Sequence, residues 1–265
     1  MGILNVTPDS FSDGGAYFDP ADAVRHALEM VRDGADILDI GAQSTRPGHA
    51  EVTPGEEWRR LEPVLNALKG KISVPVSVDT YFPSVARKAL ENGADIINDV
   101  SGKISGEMLR LVRETGAGWI LMHTGGGTAD MEGKYSEEIT REVRRFFLDS
   151  IAECVENGID RRQLCVDPGI GFGKSHQKNL TIIQNIDKIK IRDVPLLTAL
   201  SRKRVIGKAS GASDITDRLY ANIAAHSAAI RGGTDIIRVH NVREEKIGAM
   251  MADSLFRQSQ GIDSK

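Results

Sequence analysis

The sequence predicts an α/β protein, a (β/α)8 or TIM barrel that forms a single domain over residues 1–265. Short apolar runs alternate with stretches of helical period along the whole chain, a pattern typical of βα units around a parallel sheet. Eight such units in 265 residues take about 33 residues each, and barrels of this class reach about 250 residues as one domain. No linker rich in Pro, Gly or Ser divides the chain. An open doubly wound sheet is the alternative, but such sheets usually have only about five or six strands.

The predicted strands are short and almost wholly apolar, as expected for a parallel sheet that is covered on both faces. They are residues 2–5, 37–41, 76–79, 96–99, 119–123, 164–167, 196–200 and 236–239.

The helices between the strands carry an apolar stripe. In the first helix the stripe has the spacing i, i+3, i+4, i+7 and consists of Val24, Ala27, Leu28 and Val31. Asp19 and Pro20 predict its start and Gly34 its end.

A short sequence phrase repeats three times, as GADILDI at 34–40, GADIIND at 93–99 and GTDIIRV at 233–239. Each copy predicts a glycine that ends a helix, a two-residue link and a buried strand.

Composition excludes several classes of protein. Lys and Arg number 34 against 37 Asp and Glu, a net charge of −3, whereas nucleic-acid binding needs a clustered cationic surplus. Mean hydropathy is −0.24, and no apolar run approaches the ~20 residues that span a bilayer. The N-terminus lacks the basic and cleavage regions of a secretory signal. With only two cysteines, Cys154 and Cys165, and no CxxC spacing, a reduced, cytoplasmic protein is expected.

Nearly every predicted strand ends in a hydrogen-bonding or charged residue. The set comprises Asn5, Asp79, Asn98, Asp99, His123, Asp167, Ser201-Arg202-Lys203, Arg238 and His240, while Ser44-Thr45-Arg46-Pro47-Gly48 follows the second strand. Each residue alone has an ordinary structural explanation, such as a helix cap or a solvated side chain. Because active sites of barrels lie at the carboxyl ends of the strands, the whole set predicts a polar pocket at one mouth.

The residue types indicate what such a pocket would bind. Asp79, Asp99, Asp167 and Asn98 offer acceptors and an amide, which suit a flat heterocycle with N–H edges. Arg46, Lys203, Arg238 and His240 suit phosphate oxygens. The predicted ligand therefore has a polar ring and an anionic tail.

Three other kinds of site are not supported. The stretch Gly169–Ser175 resembles a P-loop, but the pattern needs glycine at position 168, where Pro168 stands. Gly125-Gly126-Gly127 indicates a loop tip rather than a phosphate nest. The six histidines lack zinc-ligand spacing, and no Ser nucleophile elbow is present.

The motifs together resemble the dihydropteroate synthases, enzymes of the folate pathway. The matching blocks run in family order from residue 1 to about 240. They are Asn5-Val6-Thr7-Pro8-Asp9-Ser10-Phe11-Ser12-Asp13-Gly14, Ser44-Thr45-Arg46-Pro47-Gly48, Ser77-Val78-Asp79-Thr80, Ile97-Asn98-Asp99-Val100, Leu121-Met122-His123, Asp167-Pro168-Gly169-Ile170-Gly171-Phe172-Gly173-Lys174, Ser201-Arg202-Lys203 and Arg238-Val239-His240. The first and sixth blocks are long and specific.

The resemblance implies a homodimeric barrel that joins 6-hydroxymethyl-7,8-dihydropterin diphosphate to 4-aminobenzoate with Mg²⁺ and that sulfonamides target. It implies these roles: Asp79, Asn98, Asp167 and Lys203 at the pterin, Met122 and Phe172 as apolar walls, Asn5 at magnesium and diphosphate, Arg238 and His240 at diphosphate, and Thr45 and Arg46 on the aminobenzoate side. Lys203, Asp79 and Arg238 are the expected catalytic residues. Its expected partners are the two small-molecule substrates, without nucleic acid or membrane. The family also commonly carries a segment before the first strand that covers the bottom of the barrel.

The chain departs from the family pattern at Gly41-Ala42-Gln43-Ser44, where Gly-Gly-Glu-Ser is usual, and at Ala199-Leu200, where Gly-Thr is usual.

Three alternative functions stay open: a corrinoid-dependent methyltransferase that binds a pterin, a catalytically silent pterin-binding protein, and a sugar-phosphate barrel enzyme. The residues at the expected diphosphate discriminate against the first. The long first motif has no explanation under the third.

Overall fold

The computed structural model describes residues 1–7, 20–43, 52–124 and 139–257. Its eight strands are β1 (Gly2–Asn5), β2 (Leu38–Gly41), β3 (Val76–Asp79), β4 (Ile96–Asp99), β5 (Gly118–Met122), β6 (Leu164–Asp167), β7 (Leu197–Thr198) and β8 (Ile236–Ile237). The helices within those ranges are α1 (Pro20–Arg32), α2 (Pro54–Leu68), α3 (Pro83–Glu91), α4 (Gly106–Thr115), α5 (Ile139–Glu156), α6 (His176–Gln184), α7 (Ile186–Ile189), α8 (Arg204–Ser210), α9 (Ile215–Arg231) and α10 (Val242–Phe256). A 3₁₀ turn at Arg161–Gln163 precedes β6.

The strands close into a barrel. Strands β1 to β6 pair in parallel in chain order, and β7 pairs with β8. Two seams complete the circle: Val166 on β6 bridges to Leu196, and Gly2 on β1 bridges to Val239, both in parallel. At the second seam the N–H of Ile3 donates to the carbonyl of Val239 at 2.9 Å. The predicted (β/α)8 barrel is confirmed.

The structure differs from the sequence prediction in the last two units. Strand β7 covers only two of the five residues predicted for it, because the N–H of Leu200 turns away from the sheet and donates to Nε2 of His226 at 3.4 Å. Strand β8 is also two residues long, since the chain beyond it contacts β1 through a single bridge. The pattern predicted one helix for each strand, whereas the connections after β6 and β7 each contain two.

The repeated phrase has the predicted geometry. Gly34, Gly93 and Gly233 have φ values of 97°, 99° and 108°, a left-handed conformation that side chains with a Cβ rarely adopt. Each lies within two residues of the end of α1, α3 or α9. In two copies the aspartate then accepts a backbone N–H of the neighbouring unit, from Val76 to Asp95 at 2.9 Å and from Leu196 to Asp235 at 2.7 Å.

Side chains alternate between two faces of each strand, and this alternation separates core from site. Outward residues such as Leu38, Val78 and Trp119 pack against the helices in large apolar clusters. The inward residues near the amino ends form a small apolar cluster that includes Ile120 and Cys165. The polar inward residues lie nearer the carboxyl ends. None of the described helices is long and apolar enough to cross a membrane.

Candidate active site

The barrel register brings the polar residues of adjacent strands together at the carboxyl mouth. Asn5 on β1 pairs with Gly41 on β2, Gly41 with Asp79 on β3, and Asp79 with Asn98 on β4. Met122 on β5 pairs with Asp167 on β6. Arg238, directly after β8, reaches across the lumen to β2 and β3. The polar residues of these strands therefore meet at this mouth and line the candidate pocket.

Asp39 lies at the centre of this pocket, and sequence reasoning missed it. Its side chain on β2 is fully buried and accepts four contacts. Ser77 Oγ donates to Oδ1 at 2.6 Å, while Asn98 Nδ2 at 3.2 Å and Arg238 Nε at 2.6 Å donate to Oδ2. Arg238 Nη2 also lies 2.6 Å from Oδ2. The sequence did carry a signal for it, because Asp39 is the charged residue within the otherwise apolar strand β2.

Arg238 links the two acids of β2 and β3. Its Nη2 donates to Oδ2 of Asp79 at 3.0 Å, so one guanidinium holds Asp39 and Asp79 side by side. Burial opposes its charge, but the attraction of both carboxylates outweighs burial and raises the pKa of Arg238. Burial, helped by the charges of Asp39 and Glu57, raises the pKa of Asp79 to about 7 against the opposing effects of Arg238 and Lys203.

Asn98 presents an acceptor toward the lumen. Because the Asp39 carboxylate only accepts, the NH₂ of Asn98 must face it. That orientation leaves Asn98 Oδ1 buried and, among the described residues, without a hydrogen bond. A buried acceptor without a donor is rare in folded proteins. A ligand N–H at this position would satisfy it.

Asp167 is held by the glycine-rich loop after β6. The N–H of Gly169 donates to its Oδ1 at 2.7 Å, and burial raises the pKa of Asp167. Gly169 has a φ of 62°, and a Cβ there would lie 2.2 Å from the carbonyl oxygen of His123. Lys174 fixes the loop from below, since its Nζ donates to the carbonyls of His123, Gly169 and Phe172 at 2.9, 2.9 and 3.2 Å. The N–H groups of Gly169, Gly171 and Phe172 are donated to Asp167, Asn179 and the carbonyl of Gly169, so these three do not form a phosphate cradle.

Lys203 and Phe172 form one wall of the pocket. The Nζ of Lys203 lies 4.1 Å from the centroid of the Phe172 ring, in a cation–π contact. Burial lowers the pKa of Lys203 to about 8, although Asp167 and Asp79 favour its charged form. Met122 is buried at the end of β5. The arrangement combines an ammonium donor with flat and apolar surfaces.

His240 lies at the same mouth, two residues beyond Arg238. Its Nδ1 is 3.0 Å from Oγ of Ser201, and its backbone N–H donates to the same oxygen at 3.3 Å. It does not cap α10, whose N-cap residue is Asn241.

Two residues of the predicted pocket point elsewhere. Asp99 is one position beyond Asn98 and therefore faces outward, where its Oδ1 accepts the N–H of Ser101 at 2.9 Å. His123 follows the inward Met122 and packs edge-on against Phe146 of α5 at 5.1 Å. Burial and the charge of Lys174 lower its pKa to about 3, so its imidazole is neutral. Thr45, Arg46 and the glycines at 125–127 lie outside the described residues.

Among the described residues, Asn5 is the candidate magnesium ligand of this mouth. Asn5, half-buried at the end of β1, offers a neutral amide oxygen, a donor type that suits Mg²⁺. The described residues contain no cluster of three or more His, Cys, Asp or Glu that could hold a metal. This donor set fits an ion whose other ligands are phosphate oxygens and water, as is usual for Mg²⁺.

Comparison with known proteins identifies the family. The model of the pterin binding enzyme family matches residues 1–240. The chain is 40% identical to the dihydropteroate synthase of Synechocystis sp. over 259 residues, which cover 97% of this chain and 90% of that protein. The chain belongs to the pterin-binding enzymes, and within them to the dihydropteroate synthase family. It is also 40% identical to the mitochondrial folate synthesis bifunctional protein of Arabidopsis thaliana, but it spans only half the length of that protein.

Solved structures of the family superpose on the whole barrel. Dihydropteroate synthase of Clostridium difficile, crystallised with pteroic acid, gives a TM-score of 0.89 at 40% identity and covers 97% of this chain and 96% of that one. The Xanthomonas albilineans enzyme with 4-aminobenzoic acid gives 0.89 at 39% identity, with 96% and 91% covered. The Yersinia pestis enzyme in complex with a sulfonamide drug gives 0.88 at 36% identity, with 96% and 92% covered.

Proposed function

We propose that this chain condenses 6-hydroxymethyl-7,8-dihydropterin diphosphate with 4-aminobenzoate to give 7,8-dihydropteroate and diphosphate. Membership of a family of folate-synthesis transferases supports the reaction. The observation that carries it is the unsatisfied acceptor of Asn98 beside the carboxylate of Asp79. Such a set of acceptors suits the N–H edge of a pterin.

In this proposal the lumen residues hold the ring. Asp79, Asn98 and Asp167 accept its N–H groups, and the ammonium of Lys203 donates to its acceptor edge. Phe172 and Met122 provide the apolar surfaces against its faces. The carboxylates then serve a second purpose, since negative charge near the ring stabilises the positive charge that develops during the reaction.

The bond from the pterin methylene carbon to the diphosphate oxygen breaks, and its electron pair stays on the oxygen. Arg238 and His240 are proposed to bind the departing diphosphate, because their side chains emerge on the same face of an extended segment. The Nε and Nη2 of Arg238 already contact Asp39 and Asp79, so Nη1 is the group proposed to bind phosphate. The amine nitrogen of 4-aminobenzoate then attacks the methylene carbon and releases a proton. Positioning contributes more than deprotonation, since an aromatic amine attacks in its neutral form.

Asn5 is the described residue proposed to hold Mg²⁺ together with the diphosphate. Bound there, the ion would neutralise charge on the leaving oxygens. Thr45 and Arg46 are proposed for the aminobenzoate side, as the family resemblance implies. A sulfonamide, as an analogue of 4-aminobenzoate, would then compete at that side.

One assay tests this function. Purified protein is mixed with the pterin diphosphate and Mg²⁺, and release of diphosphate is followed with and without 4-aminobenzoate. Release that depends on 4-aminobenzoate and yields dihydropteroate supports the proposal. Tight pterin binding without release would favour the silent pterin-binding protein instead.

We also propose that the chain forms a homodimer in the cytoplasm. Helices α9 and α10 pack against each other and expose an apolar surface on their outer side. Its residues are 58–68% exposed and comprise Tyr220, Ile247, Met250, Met251 and Leu255. Exposed apolar surface of this kind marks a protein interface. Buried thiols at Cys154 and Cys165 fit a reducing compartment. Sedimentation of an Ile247→Asp/Met251→Asp variant should give a monomer where the parent gives a dimer.

A further inference from the structure

Asp39 is a buried acid that none of the proposed roles uses. On β2 it pairs in register with Ser77 of β3, two residues before the pair that Gly41 forms with Asp79 at the mouth. Because side chains alternate along a strand, Asp39 lies on the same inward face as the mouth residues but one layer below them. Asp39 is fully buried, so any effect on a ligand must pass through the side chains around it.

The protein already uses both oxygens of the Asp39 carboxylate. Oδ1 accepts from Oγ of Ser77 at 2.6 Å. Oδ2 accepts from Nε of Arg238 at 2.6 Å and from Nδ2 of Asn98 at 3.2 Å. A carboxylate has no hydrogen to give, so each group around it must turn a donor toward it. The hydroxyl rotates and the guanidinium only donates, so this demand decides an orientation for Asn98 alone among the three.

The amide of Asn98 can fill its position in two orientations, because its oxygen and nitrogen ends have nearly the same size and shape. With the NH₂ on Asp39, the oxygen faces the lumen, in a residue that is 3% exposed, and has no hydrogen bond among the described residues. The reverse orientation would set the amide oxygen against the carboxylate oxygen that now lies 3.2 Å from the nitrogen, with no proton between them. Asp39 therefore fixes which end of Asn98 a ligand meets.

We propose that Asp39 is a positioning residue that acts through Asn98 and determines which ring edge the site accepts. The inference rests on the proposed function, in which Asn98 accepts an N–H of the pterin, and it assigns to Asn98 the exocyclic 2-amino group. By holding the NH₂ of Asn98, Asp39 makes the site accept a ring with an amino group at this position and reject a ring with a carbonyl oxygen there. Two facing acceptors leave both oxygens buried and unsatisfied, which a site built to accept an N–H penalises strongly.

The test compares two rings whose edges carry opposite patterns of donor and acceptor. One is 6-hydroxymethyl-7,8-dihydropterin. The other is 6-hydroxymethyl-7,8-dihydrolumazine, which has a carbonyl oxygen in place of the 2-amino group and a hydrogen on N1. Binding of each is measured by calorimetry at one pH. Neither ring carries a diphosphate, so the proposed phosphate contact of Arg238 does not enter. The parent protein should prefer the pterin by at least about 100-fold.

Three variants separate the acceptor at position 39 from its charge. Asp39→Leu removes the acceptor and lets the amide of Asn98 turn and donate to the lumazine oxygen, so the preference should fall by about 10-fold or more. Asp39→Ala should act in the same way, because water that fills the space both donates and accepts and leaves the amide free to turn. Asp39→Asn is the matched control. It loses the same charge but keeps an oxygen for Asn98, and its preference should stay within about 3-fold of the parent.

A preference for the pterin that is unchanged in Asp39→Leu or Asp39→Ala would overturn the inference. So would an equal fall in the affinity for both rings, since that is the behaviour of a structural residue. A loss of preference in Asp39→Asn would assign the effect to charge and would also overturn it. A parent that binds the pterin without preferring it to the lumazine overturns the inference alone, whereas a parent that binds neither ring refutes the proposed function itself.

Discussion

Replacing Arg238 with alanine removes the guanidinium that contacts both Asp39 and Asp79. The substitution leaves a fully buried carboxylate at Asp39 and a second one at Asp79 that is 12% exposed. Breaking a buried ion pair from one side costs about 3–5 kcal/mol. Asp39 keeps its bonds from Ser77 and Asn98, and Asp79 can take up a proton, so the lower end is expected. We therefore expect about 3 kcal/mol less free energy of unfolding near neutral pH.

The loss should depend on pH with a defined sign. Without Arg238 the pKa of Asp79 rises above the value of about 7 that it has in the intact site. A carboxyl group whose pKa is raised on folding favours the native state only when protonated. Since Asp79 of the parent already has a pKa of about 7, the part of the deficit that is due to Asp79 should be small below that pH. It should grow above about pH 7 and level off above the higher pKa that Asp79 has in the variant. Urea unfolding at several pH values measures it.

The double variant Asp39→Asn/Arg238→Ala separates structure from catalysis. It removes both charges, and an asparagine at 39 can donate to Ser77 while accepting from Asn98. Stability should return to within about 1 kcal/mol of the parent, a coupling of the size seen for residues in contact. The kcat/KM for the pterin diphosphate should stay at least about 100-fold lower, because the group proposed to bind the leaving diphosphate is still absent. If activity returns together with stability, Arg238 only pairs Asp39 and its assignment to diphosphate is wrong.

Three further results are expected. Asp167→Asn should weaken pterin binding about 100-fold or more in calorimetry, because an amide N–H then faces a ring donor. If the affinity stays near that of the parent, Asp167 only accepts the N–H of Gly169 and does not bind the pterin. Gly169→Ala should lower the melting temperature much more than Gly116→Ala does. Gly116 also has a positive φ, but a Cβ at that position would meet open space. Equal losses for the two variants would show that the close approach of residue 169 to His123 does not matter. Aminobenzoate should bind measurably only after diphosphate or pterin diphosphate is present, and tight binding to the free protein would contradict this order.

Much of the fold could be predicted from local sequence. The apolar runs, their spacing and the helix-ending glycines at 34, 93 and 233 are set by short-range preferences, and each is found in the structure. The ends of β7 and β8 could not be predicted in this way. They depend on where the barrel closes and on His226, a residue of another helix that takes the N–H of Leu200.

The sequence by itself determined that polar residues end the strands, and the family resemblance assigned them to a pterin and its diphosphate. Only the tertiary structure decided which of them share the lumen. Asn98 and Asp99 are adjacent, yet one faces the lumen and the other faces the helices, because successive side chains of a strand point to opposite faces. The structure also decided the role of Asp39, whose partner Arg238 is 199 positions away. Such contacts form only when β1 meets the chain beyond β8, and no local pattern encodes that closure.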